Sequence, residues 1–493
     1  MGSVTVQTST RTSDSEESHD IRRLVLRTLM PGFVGTSVPA WLAAALADGL
    51  GSVCIYGPNV VDRDQLRELC ADLHRRAPRV VLAVDEEGGD VTRLHYRSGS
   101  PYVGNAVLGR LDDVALTSRA AAEIAADLRD VGIDLDLAPV VDVNSSDDNP
   151  VIGVRSFGAD AHLVARHTSA WVEGLQSAGI AACAKHFPGH GDTDSDSHHA
   201  LPVVTAPADV VRSRELVPFR AAVDSGVACV MTAAVVVPSL DPEHAATFSS
   251  LLLEGVLRGE LGFGGVIMTD ALDMAGASAD TGIPEAAVRA LVAGCDLLCL
   301  GSETPELLVT DVVSAVETAV VSGRLPLSRL LDAAAAVDRL AGLGENRPPP
   351  ASPVVREARA SEAFTVSDRA RQWLAGTGDV AIVQVESSSN LAVGQVPWGP
   401  SSVGATTGVD DVPEGARVAV VGRDITPGHR AWAVADGLRR QGRDVIVVEC
   451  GWPRAAVDLV TWGGSPAVAE SLVALLRGGA DSTSGAAVGG SGP

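Results

Sequence analysis

The segment KHFPGHGDTDSDSHHALP (185–202) gathers side chains that move protons. It holds four of the eleven histidines, three aspartates and Lys185, the chain's single lysine. Pro188, Gly189 and Gly191 break any regular helix, so the groups sit on a shaped loop. The segment directly follows the apolar run IAACA (180–184) and so leaves the carboxyl end of a strand. Metal binding is one reading of so many histidines and aspartates. However, Phe-Pro-Gly separates His186 from His190, so they cannot stand one helical turn apart as in an HExxH site. No metal or organic cofactor is expected.

Three further polar clusters follow apolar runs. In AVDEEGGDVTRL (83–94), Asp85 ends the strand pattern VVLAV, Gly88-Gly89 would let the backbone approach a ligand, and Arg93 supplies a fork of donors. VIGVRSFG (151–158) follows IDLDLAP and places Arg155 near the same rim. GFGGVIMTDALDM (262–274) ends an apolar strand at Asp270, with Asp273 three residues on. Strand-end carboxylates from several strands converge only if those strands close into one barrel with a common carboxyl face.

The four segments resemble glycoside hydrolase family 3, specifically its beta-N-acetylhexosaminidase (beta-N-acetylglucosaminidase) branch. DEEGGDVTRL is similar to that family's D-[QE]-EGG-x-V-x-R element. The 185–202 loop resembles the KHFPGHG-DT-x-x-DSH-x-x-LP signature, and GFGGVIMTDALDM resembles the nucleophile segment. The resemblance implies a retaining glycosidase that removes terminal N-acetyl-β-D-glucosamine. It implies Asp270 as nucleophile and His198 as proton donor and acceptor, oriented by Asp196, with His199 as the rival donor. A histidine's ordinary pKa of about 6.5 suits that exchange near neutrality. Asp85, Arg93, Arg155, Lys185 and His186 match the family's sugar-binding positions, although either arginine could instead be an ion-pair partner in the barrel mouth. His190 and Asp192 are expected to fix the loop. One departure is Ala234 in VMTAAVVVP, where the family often has histidine, which bears on specificity or loop position.

Alternatives share these residues. A histidine becomes neutral after protonating the leaving group, so the second step could admit phosphate and make the enzyme a phosphorylase. A sugar-binding protein with a dead site is opposed by the intact Asp270, Asp196 and His198. A beta-glucosidase of the wider family would take its acid/base from another region.

The positioning elements are legible as alternating apolar runs and Ala/Leu/Arg-rich helical patterns. Seven strand candidates and a weaker first one near Leu29–Val34 predict an α/β fold: a (β/α)8 TIM-like barrel followed by a smaller α/β sandwich domain. The expected division is a tail at 1–20, the barrel at 21–345, a proline-rich linker at 346–360, the second domain at 361–480 and a tail at 481–493. The formal net charge of -24 opposes nucleic acid or an anionic membrane as partner. Seven cysteines with no CxxC pair read as buried small residues in a reducing compartment. With no apolar leader in the first twenty residues, the sequence reads as cytoplasmic, acting on muropeptide or chito-oligosaccharide fragments as monomer or homodimer.

Overall fold

A computed structural model describes residues 20–193, 201–279, 281–343, 360–387 and 392–478. The two terminal tails (apart from Asp20), nearly all of the linker, Asp196 and His198 lie outside the described residues. The first domain is built on β1 (Leu29–Met30), β2 (Ser52–Ile55), β3 (Val81–Val84), β4 (Leu135–Asp136), β5 (Ala181–Phe187) and β6 (Cys229–Thr232). A short antiparallel hairpin, β7 (Val236–Val237) and β8 (Asp241–Ala245), intervenes before β9 (Val266–Thr269) and β10 (Leu298–Cys299).

The parallel order β2-β3-β4-β5-β6-β9 curls round on itself. A bridge from Met268 to Leu297 joins β9 to the β10 strand, which pairs in parallel with β1. The Cys54 N–H then donates to the Pro31 carbonyl at 3.0 Å, linking the β1 segment back to β2. These are the eight strand candidates of the sequence. Only the hairpin was not expected, because Val-Val is too short to show a period and Asp-Pro-Glu-His-Ala is largely polar.

Alternate strand residues fill the barrel: Met30, Cys54, Ala83, Leu135, Cys183 and Met268 belong to one buried cluster. The helix Leu327–Leu343 adds Ala336, Val337 and Leu340 to it. The other strand faces meet the surrounding helices in a larger apolar shell. All seven cysteines are buried and free.

Two of those helices show how local sequence sets the packing. Val114–Val131 is capped by Asp113, which accepts from Leu116 N–H, and ends at Gly132 in the left-handed region. Ala161–Ser177 is capped in the same way by Asp160. They approach so closely that a Cβ on Gly174 would stand 2.2 Å from the Ser118 carbonyl oxygen.

The second domain has β11 (Thr365–Val366), β12 (Val380–Gln384), β13 (Arg417–Gly422), β14 (Val445–Glu449) and β15 (Leu459–Val460), in the order β11-β15-β14-β13-β12. Only β11 runs antiparallel to its neighbour. Apolar clusters cover both faces, as a parallel sheet requires. This domain leans on the carboxyl face of the barrel. Trp452 Nε1 donates to Asp147 at 3.2 Å, and Arg454 donates to the Asn149 carbonyl.

Gly174→Ala is expected to cost about 1–3 kcal/mol through overpacking of the two helices, read as a lower urea midpoint with unchanged slope.

Candidate active site

At the carboxyl ends of the barrel strands lies a cavity of about 320 Å³. That is within the roughly 300–1,000 Å³ of small-molecule sites. Six of the residues singled out from the sequence line it together: Asp85, Arg93, Arg155, Lys185, His186 and Asp270. They arrive from β3 and its loop, from the 151–158 loop, from β5 and from the end of β9.

The centre of the site is a buried charge network. Lys185 is only 2% exposed, so its ammonium must be paired. Its Nζ lies 2.6 Å from Asp85 Oδ1 and 2.8 Å from Glu87 Oε1. Arg155 grips the same Glu87 as a fork, with Nε at 2.9 Å from Oε2 and Nη2 at 2.8 Å from Oε1. Its Nη1 donates to the Val151 carbonyl. Burial by itself would raise the Asp85 and Glu87 carboxyls. Lys185 and Arg93 outweigh it for Asp85, and Arg155 and Lys185 for Glu87, so both stay below the usual carboxylate range. Lys185 is in turn held above its ordinary value by the two carboxylates, against the effect of burial.

A second set of bonds fixes the histidine loop. His186 Nδ1–H donates to Asp142 Oδ2 at 2.7 Å, which turns Nε2 toward Arg155 Nη2 at 3.5 Å. The His190 N–H donates to Asp142 Oδ1 at 2.7 Å, and His190 Nδ1 meets Thr193 Oγ1 at 2.8 Å. Burial drives the His190 ring down to about 4, so it is neutral at physiological pH. Arg214 Nη2 holds Asp192 at 2.5 Å. His190 and Asp192 thus both bond within or beside the loop, at the flank where the described residues stop before Asp196 and His198.

Asp270 follows β9, and the Ala271 N–H donates to its Oδ1 at 2.7 Å. Asp273 also lines the cavity. Ala234 is buried in the apolar shell beyond β6.

The structure changes two expectations. Gly88 and Gly89 do adopt positive φ, but a Cβ on Gly89 would strike Gly104 Cα at 2.5 Å. The pair therefore allows two loops of the barrel to touch, and neither glycine lines the main cavity. Arg93 is not simply a fork offered to a ligand: Nη2 donates to the Ala392 carbonyl at 2.6 Å and Nη1 to the Val393 carbonyl at 3.3 Å. Sequence reasoning passed over Glu87, although Asp85 and Glu87 sit two apart at a strand end and so share a face. It also passed over Asp142 and Tyr56, the latter a wall of the cavity.

Glu87→Gln removes the carboxylate shared by two buried cations. It is expected to lower stability by about 3–5 kcal/mol in urea unfolding at neutral pH.

Comparison with known proteins agrees with this geometry. Residues 37–340 match the family model described as the glycosyl hydrolase family 3 N terminal domain. A beta-hexosaminidase of Xylella fastidiosa is 39% identical over 298 residues, which cover 58% of this chain and 86% of that protein. One from Stenotrophomonas maltophilia is 36% identical over 299 residues, covering 59% and 87%. The solved family 3 beta-N-acetylglucosaminidase from a Paenibacillus species superposes with a TM-score of 0.79 at 30% identity, covering 93% of this chain and 96% of that one. With a barrel of this order, a polar cavity at its carboxyl face and these matches, the chain belongs to glycosyl hydrolase family 3 and is a glycoside hydrolase.

Proposed function

We propose that the chain is a beta-N-acetylhexosaminidase that hydrolyses terminal non-reducing N-acetyl-β-D-glucosamine residues with retention. The observation that carries this reading is the convergence of Asp270 with Asp85, Lys185, His186 and Arg155 on one cavity of monosaccharide scale. The named activities of the similar proteins point the same way.

In this mechanism the Asp270 carboxylate attacks the anomeric carbon while the glycosidic oxygen leaves with a proton from His198. A glycosyl ester on Asp270 results. His198 then takes a proton from water, which attacks the same carbon and releases the sugar with its original configuration. Asp196 holds the imidazole in the donating tautomer and stabilises the imidazolium. The Ala271 N–H fixes the rotamer of the nucleophile. Asp85 and Lys185 bind sugar hydroxyls, with His186 beside them. Arg155, engaged on three of its nitrogens by Glu87 and Val151, acts mainly by holding Glu87 in place and presents Nη2 beside His186.

The substrates on this reading are oligosaccharide fragments of cell wall or chitin. Seven buried free thiols fit a cytoplasmic setting, which fractionation of the native cell would check.

The deciding experiment is release of nitrophenol from 4-nitrophenyl N-acetyl-β-D-glucosaminide, with products identified in phosphate and in phosphate-free buffer. Asp270→Ala is expected to lose several orders of magnitude, and His198→Ala about 10²–10⁴-fold, with the pH dependence of its remaining acid/base limb gone. Free N-acetylglucosamine is the expected product in both buffers. Sugar 1-phosphate as the main product would overturn hydrolysis, and an Asp270→Ala protein of undiminished activity would overturn the nucleophile.

A further inference from the structure

The loop that carries Asp85 and Arg93 is gripped from the second domain at two points. Asp90, 8% exposed, accepts the Gly464 N–H on Oδ1 at 2.8 Å, and its Oδ2 lies 3.7 Å from Arg423 Nη1. Arg423 is itself buried, 5% exposed, with its guanidinium 4.7 Å above the Trp398 ring. Three residues along, the Arg93 side chain donates to the carbonyls of Ala392 and Val393, while its Nη2 stands 3.7 Å from Asp85 Oδ2. All four gripping residues belong to the second domain, and Ala392 also forms part of the cavity wall.

The loop backbone has a separate support inside the barrel. Glu86 Oε2 accepts from Thr92 Oγ1 and from the N–H groups of Arg93 and Leu94, at 2.8–2.9 Å. The barrel therefore holds the course of the chain through residues 92–94. The direction of the Arg93 fork, and the neighbourhood of Asp85 with it, is fixed from outside. A buried guanidinium without those two carbonyls would lose two of its acceptors and reorient. Binding groups displaced by even an ångström lose much of their effect.

We infer that the second domain is a positioning element of the active site: through Asp90 and Arg93 it sets the Arg93 fork and Asp85 at the sugar-binding end of the cavity. This rests on the reading of that cavity as a glycoside site. Arg423 and Gly464 are positioning residues that act on the loop through Asp90, as the Ala392 and Val393 carbonyls act through Arg93.

The test compares Arg423→Gln, Asp90→Asn, the double variant and Arg423→Lys in the full-length chain, on 4-nitrophenyl N-acetyl-β-D-glucosaminide. Each single substitution is expected to raise KM about tenfold or more with kcat changed less than about threefold. The double variant should be no worse than the poorer single, and Arg423→Lys should recover most of the loss. A folded Arg423→Gln protein with unchanged KM overturns the inference. Should Arg423→Gln not fold, Asp90→Asn, which keeps the side-chain shape and the bond from Gly464, decides in the same way. Amide exchange in the absence of sugar gives an independent reading. Faster exchange at Gly464 and across residues 88–91 in Arg423→Gln supports the grip, and unchanged exchange refutes it, even if the wild-type protein proves inactive on this glycoside.

Discussion

A charged group buried in a barrel mouth has to be neutralised where it stands, and Lys185 imposes that condition on everything around it. Two unit charges 4 Å apart attract by about 4 kcal/mol at an effective dielectric of 20, and desolvation works against most of that gain. The ammonium is therefore stable only with Asp85 and Glu87 both ionised and both close. Glu87 is in turn shared with Arg155, whose Nη2 meets the same Oε1 and whose Nε meets Oε2. One cation thus ties together the loop after β3, the 151–158 loop and β5, three segments far apart in sequence. None of the four groups can be neutralised alone without leaving another charge exposed to low dielectric.

Around this centre the loop after β5 is shaped by neutral and singly charged partners. Asp142 accepts from the His186 ring and from two backbone amides, and its carboxyl is kept low by His186 despite burial. Asn149 holds the His190 carbonyl and donates no charge. Behind the loop, burial lifts Glu215 to about 7, although Arg214 pulls it the other way. Under the loop, Asp142 thus stays ionised beside a neutral His190, while Glu215 behind it lies near its midpoint at neutral pH.

Most of the barrel was readable because its strands lie in continuous apolar runs bounded by helices, and even the two-residue strands Leu135–Asp136 and Leu298–Cys299 sit inside the longer runs IDLDLAP and CDLLCL. The first, at Leu29–Met30, is short yet lies beside Pro31, which ends it. What the sequence concealed has physical reasons. In the second domain the edge strand Thr365–Val366 and its neighbour Leu459–Val460 are two residues long, so no period can appear. Glu87 was hidden in a run of three acids whose alternation decides which face each takes. Asp142 stands six residues beyond Asp136, the end of β4, in a loop whose course no local pattern dictates. The hold of Ala392 and Val393 on Arg93 runs through backbone carbonyls some 300 residues away, to which any side chain at those positions contributes nothing.

Lys185 is the only lysine in the chain, every other side-chain cation of the Lys/Arg kind being a guanidinium, and it is enclosed by carboxylates. Apart from the α-amino terminus, the whole outer surface is consequently inert to reagents that acylate or alkylate primary amines. For chemical labelling, immobilisation or crosslinking through amines, this molecule presents a single interior target. Any modification found on that side chain reports an opening of the charge network, with no other side-chain ammonium to compete for the reagent.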